Sequence, residues 1–266
     1  MILVLLIYMI VGAVAGILAG LLGVGGGLVI VPILAYTFTE QGFSYDLIMH
    51  LALGTSLASI IFTSISSFTA HHRVGAVRWD IFRQIVVGIL VGTFLGSCVA
   101  SRMSTAFLSV FFVIFLYCVA YQMIRDKKPN PSRELPGKLG MFGVGNLIGA
   151  VSSFVGIGGG SLSVPFMIWC NIPAHKAIGT SAAIGFPIAV SGAIGFIYSG
   201  WSDPKLPSWS LGYVYLPAFF GIVLASVLTA PYGAKIAHKL PVKRLKQVFA
   251  VLLTIMGTRV LAGLIW

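Results

Sequence analysis

The chain has 266 residues, of which 58% are hydrophobic and 9% are charged, and its formal net charge is +11. Soluble domains carry about 25% charged residues, so this composition excludes a soluble protein and indicates helices that span a membrane. Apolar runs such as residues 1–22 and 85–99 are continuous, whereas the strands of a membrane β-barrel alternate apolar and polar residues. The basic residues lie mainly between the apolar runs, as cytoplasmic loops require, and nucleic-acid binding is not supported.

The first half of the chain contains five apolar segments. We predict helices over residues 2–22, up to about 38, 50–70, 85–99 and 107–123. A basic loop follows the third segment, and it holds His71, His72, Arg73, Arg78 and Arg83. Both histidines are expected to be solvated there.

The second half repeats this organisation after a linker. Residues 125–138 are polar and contain three prolines. We predict the later helices over residues 140–154, up to about 170, 175–198, 213–230 and 245–265, with a polar turn over 199–210. The predicted domains are an N-terminal repeat over 1–124, a basic linker over 125–138 and a C-terminal repeat over 139–266.

An odd number of segments in each half predicts that the second half enters the membrane from the opposite side. The expected fold is therefore all-α: a polytopic membrane helix bundle of two inverted five-segment repeats. The basic loops are expected in the cytoplasm and the chain in the inner (plasma) membrane. If the short second segment of each half is re-entrant, eight full spans remain instead of ten, and the sequence leaves this open.

One glycine motif occurs in each half, 133 positions apart. Residues 23–32 read Gly-Val-Gly-Gly-Gly-Leu-Val-Ile-Val-Pro, and residues 156–165 read Gly-Ile-Gly-Gly-Gly-Ser-Leu-Ser-Val-Pro. Each glycine disfavours helix by about 1 kcal/mol, and Pro32 and Pro165 each remove a backbone donor. We predict a helix break followed by a short helix at membrane depth. Transporters line substrate sites with helix ends of this kind.

A second repeated motif follows each glycine motif and enters the next helix. Residues 50–56 read His-Leu-Ala-Leu-Gly-Thr-Ser, and residues 175–181 read His-Lys-Ala-Ile-Gly-Thr-Ser. The paired motifs place a Gly-Thr-Ser helix beside each predicted break.

Together the paired motifs resemble the TauE/SafE (TSUP) family of sulfite and organosulfonate exporters, and the resemblance covers nearly the whole chain. It implies an inverted-repeat carrier of ten helix-like segments whose substrates are small sulfur-containing anions such as sulfite and sulfoacetate. The predicted function is transport of such an anion, in the direction of export, by alternating access around a site in the middle of the membrane. A cation channel or a cation-coupled transporter of another small solute is the alternative. A membrane-embedded enzyme is disfavoured because no nucleophile–base set or metal-binding spacing is present.

The candidate substrate-binding groups are neutral donors. Helix N-termini carry free amides and a partial positive charge, and hydroxyl groups donate to sulfonate oxygens. The candidates are the amides of Gly25, Gly26, Gly27, Gly158, Gly159 and Gly160, and the side chains of Thr55, Ser56, Asn146, Ser153, Ser161, Thr180 and Ser181. Ser152 and Ser163 belong to the same polar wall of the second half. The alternatives are close helix packing for the glycines and bonds to helix carbonyls for the hydroxyls.

Titratable groups are scarce in the apolar segments. His50 and His175 sit at equivalent positions, where each is expected either to carry a coupling proton or to anchor its helix by a hydrogen bond. All six acidic residues fall in predicted loops or at helix ends, so the usual carboxylate relay is absent. No metal and no cofactor is predicted. The expected partners are a small anion and the lipid bilayer, and homodimerisation is left open.

Overall fold

A computed structural model describes residues 2–125, 134–237 and 242–265. Within these residues it has ten helices and one hairpin. The helices are α1 Ile2–Leu22, α2 Gly27–Glu40, α3 Tyr45–Arg73, α4 Trp79–Ala100, α5 Thr105–Arg125, α6 Lys138–Val155, α7 Gly160–Trp169, α8 Ala174–Gly200, α9 Leu216–Ala237 and α10 Val242–Ile265. The hairpin pairs β1 (Ser210–Leu211) with β2 (Val214–Tyr215) in antiparallel fashion.

The predicted all-α, polytopic bundle is confirmed. Within the described ranges, seven helices are long and apolar enough to cross a membrane. The shorter apolar helices are α2, α7 and the Phe249–Gly263 part of α10. Most of the predicted linker, residues 126–133, lies outside the described residues, and the domain boundaries stay a prediction.

Several helices are longer than the sequence predicted. The third continues through His71 and His72 to Arg73, and the fourth already starts at Trp79. The expected basic loop is thus reduced to residues 74–78, and both histidines lie in α3 instead of the loop. His71 is buried, against the expectation that it is solvated, whereas His72 is exposed as expected. Basic side chains at a helix C-terminus interact favourably with its dipole, so the helix continues past the point where the apolar pattern ends. The predicted polar turn over residues 199–210 also missed the hairpin, whose first strand begins at Ser210.

At the first glycine motif the chain reverses direction. Gly26, which precedes α2, lies against Ala15 of α1. At the far end of α2, the Gln41 side-chain amide donates a hydrogen bond to the Tyr8 hydroxyl over 2.8 Å. The second helix therefore runs back along α1 toward the start of the chain.

The first helix of each half packs against the fourth helix of the other half. The two helices of each pair run parallel, and glycines spaced four residues apart allow their backbones to touch. In one pair, Gly12, Gly16 and Gly20 of α1 face Ile222, Ser226 and Ala230 of α9. In the other pair, Gly88, Gly92 and Gly96 of α4 face Phe142, Asn146 and Ala150 of α6. The pair α1–α9 therefore corresponds to the pair α6–α4 when the two halves are exchanged.

The centre of the bundle is the antiparallel pair α3 and α8, which are the most buried of the seven long helices in the described chain. Leu57 lies near Gly192, and Ser64 lies near Gly185. The parallel and antiparallel pairs bring most of the described basic residues to one end of the bundle: Arg73, Arg78, Arg83, Arg125, Lys138, Lys176 and Lys235. Arg102, Lys205 and Arg259 lie toward the other end.

Candidate functional site

The two helix breaks touch each other inside the bundle. The amide of Gly158 donates to the Val24 carbonyl over 3.2 Å. A Cβ at Gly27 would overlap the Gly156 carbonyl oxygen, and a Cβ at Gly160 would overlap that of Gly23. Both breaks are buried in the protein. Close approach of two backbones therefore accounts for a glycine at the first position of each short helix.

Each short helix begins from a left-handed glycine. Gly26 precedes α2 with φ of 79°, and Gly159 precedes α7 with φ of 75°. Glycine adopts this conformation without the steric cost that a Cβ imposes. The predicted break followed by a short helix is present in both halves, and Pro32 and Pro165 lie inside the short helices, past the first turn.

The serine of each Gly-Thr-Ser motif is bonded to the break of the other half. The Ser56 hydroxyl donates to the Gly156 carbonyl over 2.8 Å, and the Ser181 hydroxyl donates to the Gly23 carbonyl over 3.0 Å. Ser181 also accepts a bond from Ser163 over 2.8 Å. The central helices α3 and α8 therefore each hold the opposite break in place.

The threonine of each motif is bonded to the connection that precedes the fourth helix of the other half. The Thr55 hydroxyl accepts a hydrogen bond from the Tyr215 amide, and the Thr180 hydroxyl accepts one from the Arg78 amide, both over 2.9 Å. Gly54 lies against the Tyr213 carbonyl in the same way that Gly179 lies against that of Ala76. The sequence analysis did not predict these hydrogen-bond partners. Gly212 was the residue that could have indicated the hairpin turn, because its φ is positive.

The second break carries donors that have no partner. Among the described residues, the amides of Gly159, Gly160 and Ser161 donate to no backbone acceptor. The hydroxyls of Ser152 and Ser161 are buried and form no hydrogen bond. The Ser152 hydroxyl oxygen is 3.3 Å from the position of a Cβ on Gly159, so it points at the N-terminus of α7.

The first break lacks this arrangement. By the offset of 133 positions, Ala19 stands where Ser152 stands, and Leu28 stands where Ser161 stands. A buried hydroxyl without a partner costs about 1–3 kcal/mol. The second break therefore holds two unsatisfied hydroxyls that the first break does not hold. The amides at the start of α2, those of Gly26, Gly27 and Leu28, likewise donate to no backbone acceptor among the described residues.

Two of the predicted residues lie on a different face of α6. The Ser153 hydroxyl donates to the Ala150 carbonyl of its own helix over 2.7 Å. Asn146 is half-buried beside Gly92 of α4. The face of α6 that meets Gly159 carries Ile148 and Ser152 instead.

The two equivalent histidines have different surroundings. His50 is buried, and its ring nitrogens lie 2.9 Å from the Asp46 carbonyl oxygen and 3.1 Å from the Met103 carbonyl oxygen. These contacts tie the start of α3 to the connection between α4 and α5, and a neutral imidazole donates to one of the two oxygens. His175 is exposed. His71 is buried, and its Nε2 lies 2.9 Å from the Gly20 carbonyl oxygen at the end of α1.

The region around the breaks is closed and neutral. The space between Gly25, Ser64 and Gly185 on the basic side of the first break does not admit a water molecule. The Ile188 side chain fills the position next to Gly159. The buried polar side chains of the described residues are serines, threonines and the two histidines His50 and His71. An anion that reaches this site meets amides and hydroxyls and not a buried cation.

Curated relatives match nearly the full chain. A probable membrane transporter protein of Haemophilus influenzae is 39% identical over 95% of this chain and 96% of its own length. A probable membrane transporter protein of Methanocaldococcus jannaschii is 27% identical over 93% of this chain and 92% of its own. YunE, a probable membrane transporter protein of Bacillus subtilis, is 27% identical over 96% of each. No solved structure matches the chain significantly.

The family profile described as sulfite exporter TauE/SafE matches residues 8–260. The match includes both helix breaks and both Gly-Thr-Ser motifs. Together with the multi-span helical fold and the relatives, it identifies a membrane transporter and not an enzyme. The chain therefore belongs to the sulfite exporter TauE/SafE family.

Proposed function

We propose that this transporter carries a small sulfur oxyanion, sulfite or an organosulfonate, and that the anion binds at the second break. The observation that carries the proposal is the set of unpaired donors there: the hydroxyls of Ser152 and Ser161 beside the free amides at the start of α7. A sulfonate group has three oxygens that accept such bonds. Successive free amides at a helix N-terminus form an anion site without a charged side chain.

The same geometry supports alternating access by two inverted repeats. The breaks lie in contact, and each is held by a serine from the opposite half. Since Ile188 occupies the space beside Gly159, the described conformation is closed at the anion site. We infer that transport separates the two breaks, first toward one side of the membrane and then toward the other. Gly25, Gly26 and Gly27 then line this path from the first half.

The basic end of the bundle supports an orientation in the membrane. Basic loops are retained in the cytoplasm, so we place Arg73, Arg125 and Lys138 on the inner side of the plasma membrane. A potential that is negative inside drives a monoanion outward by about 2.3 kcal/mol per 100 mV. Export therefore requires no coupling ion. A proton carried by His50 is the alternative that uptake would need.

The experiment compares wild-type protein with the double variant Ser152→Ala plus Ser161→Ala. Purified proteins are screened by thermal shift against sulfite, sulfate, thiosulfate, taurine and sulfoacetate. Flux of the anion that stabilises wild type is then measured in proteoliposomes under an imposed potential. Loss of hydrogen bonds to a charged group weakens binding by roughly tenfold or more. We therefore expect a matching loss of stabilisation and flux, with flux that follows the potential.

A matched control is Thr69→Ala, since the half-buried Thr69 makes an exposed hydrogen bond from its hydroxyl to the Ile65 carbonyl of its own helix. This variant should transport as wild type does. Equal anion stabilisation in the double variant and in wild type would remove the second break as the binding site. A current carried by cations instead of anions would favour the channel alternative.

A further inference from the structure

A large cavity opens at the end of the bundle opposite the basic end. Its volume is about 510 Å³, within the usual range of ligand sites, and it lies between the ends of α2 and α10 and the starts of α3 and α5. Its wall is mainly apolar, with Ile33, Met49 and Val260 among the lining residues. Its lining includes Pro32 of the first motif but none of the glycines at the two breaks.

Two residues of opposite charge line the cavity. Arg259 of α10 and Glu40 at the end of α2 both border it, and both are exposed. Within the described chain the ion pairs are Arg78–Asp80 and Lys205–Asp46, so neither Arg259 nor Glu40 is neutralised by an ion pair there. The Arg259 guanidinium lies 5.3 Å from the centre of the Tyr36 ring.

A charged side chain inside a membrane helix is expensive and marks a functional contact by default. Arg259 is one such residue, because it lies within the apolar Phe249–Gly263 part of α10. Guanidinium groups bind phosphate oxygens in bidentate fashion, and the Glu40 carboxylate on the same cavity wall can pair with a cation. The complementary ligand therefore carries a phosphate anion and an ammonium group on one apolar body.

We propose that this cavity binds phosphatidylethanolamine from the surrounding bilayer, with Arg259 at the phosphodiester, Glu40 at the ammonium and an acyl chain along the apolar wall. The pair of charges selects this lipid over phosphatidylglycerol, which has the phosphate but no amine. The bound lipid bridges α10 of the second half and α2 of the first half at the outer end of the bundle.

Native mass spectrometry of delipidated protein tests this, with phosphatidylethanolamine and phosphatidylglycerol added separately. We expect wild type to retain the ethanolamine lipid in preference to the glycerol lipid. Arg259→Gln should weaken binding of both lipids by roughly tenfold. Glu40→Gln should keep phosphate binding and remove the preference. The control is Arg102→Gln, since Arg102 is exposed at the same end of the bundle and does not line the cavity.

The lipid measurement needs no transport, so it fails or succeeds independently of the anion site. Equal binding of both lipids to wild type, or an unchanged preference in Glu40→Gln, would overturn the proposal. The lipid preference of Glu40→Gln tests the proposal even if Arg259→Gln proves unstable. Displacement of the lipid by millimolar sulfite would instead assign the cavity to the substrate path.

Discussion

At the scale of single residues, the molecule uses small side chains for two different tasks. Gly27 and Gly160 remove bulk where two backbones touch, whereas Ser56 and Ser181 supply donors to carbonyls that the breaks leave outside any helix. Both tasks serve the contact between the halves. In contrast, Ser152 and Ser161 supply donors that nothing in the described protein accepts, and this difference separates candidate binding groups from structural ones.

Tyr213 offers a prediction at this scale, since it lies in the hairpin turn outside the membrane-spanning helices. Its hydroxyl donates to the Asp203 carboxylate over 3.1 Å. Burial, together with the nearby negative charge of Asp203 and this hydrogen bond, raises the pKa of Tyr213 to about 12. Because the neutral phenol is favoured in the folded state, the contribution of Tyr213 to the stability of the folded protein is fully present below the unfolded pKa of about 10. It is lost as the pH rises from there through the folded value.

Titration of tyrosinate absorbance measures this directly. Wild type should contain a tyrosine that ionises near the raised value of Tyr213, and Tyr213→Phe should lose one tyrosine from that late step. The difference in unfolding temperature between the two proteins should shrink as the pH rises above about 10. Tyr198→Phe, at an exposed position, is the control and should retain the late-ionising group. Absence of a late-ionising tyrosine in wild type would show that the bond to Asp203 does not hold.

At the scale of helices, the sequence predicted the elements better than their partners. Glycine and proline chemistry is local, so the two breaks and the two short helices were predicted from residues 23–32 and 156–165 alone. The partners of Thr55 and Thr180 come from the opposite half, far along the chain, and no local pattern specifies them. The same limit applies to His71, whose acceptor lies on α1.

One helix contact shows how a distant hydroxyl compensates for a proline. Pro231 lies inside α9 and lacks the amide that would donate to the Val227 carbonyl four residues earlier. The Ser66 hydroxyl of α3 donates to that carbonyl over 2.8 Å. We therefore predict that Ser66→Ala lowers the free energy of unfolding by about 1–3 kcal/mol, because the carbonyl is left without a donor.

The cost should depend on the proline. In a Pro231→Ala background the helix amide is restored, so Ser66→Ala should cost less there than in wild type. Thermal or denaturant unfolding of the four proteins forms a double-mutant cycle that measures the coupling. Equal costs in both backgrounds would mean that Ser66 and Pro231 act independently.

At the scale of the whole molecule, the two halves exchange contacts in a reciprocal way. The helix pairs α1–α9 and α6–α4 correspond to each other, and each central helix holds the break of the opposite half. In such an arrangement the contact between the two breaks can open on one side while it stays closed on the other, as alternating access requires. The relative movement of α3 and α8 beside the breaks is therefore the motion to test.

Ser64 and Gly185 are suited to that test. A Cβ on Gly185 lies 3.7 Å from the Ser64 Cβ, which falls within the range of about 3.5–4.5 Å that a disulfide needs. We predict that Ser64→Cys plus Gly185→Cys, in a background with Cys98, Cys118 and Cys170 replaced, forms a disulfide on oxidation. Because the bond ties α3 to α8 in the closed conformation, anion flux in proteoliposomes should stop and should return on reduction. Each single cysteine variant should keep its flux under oxidation. Full flux through the oxidised pair, with the disulfide verified by mass spectrometry, would show that these helices do not separate during transport.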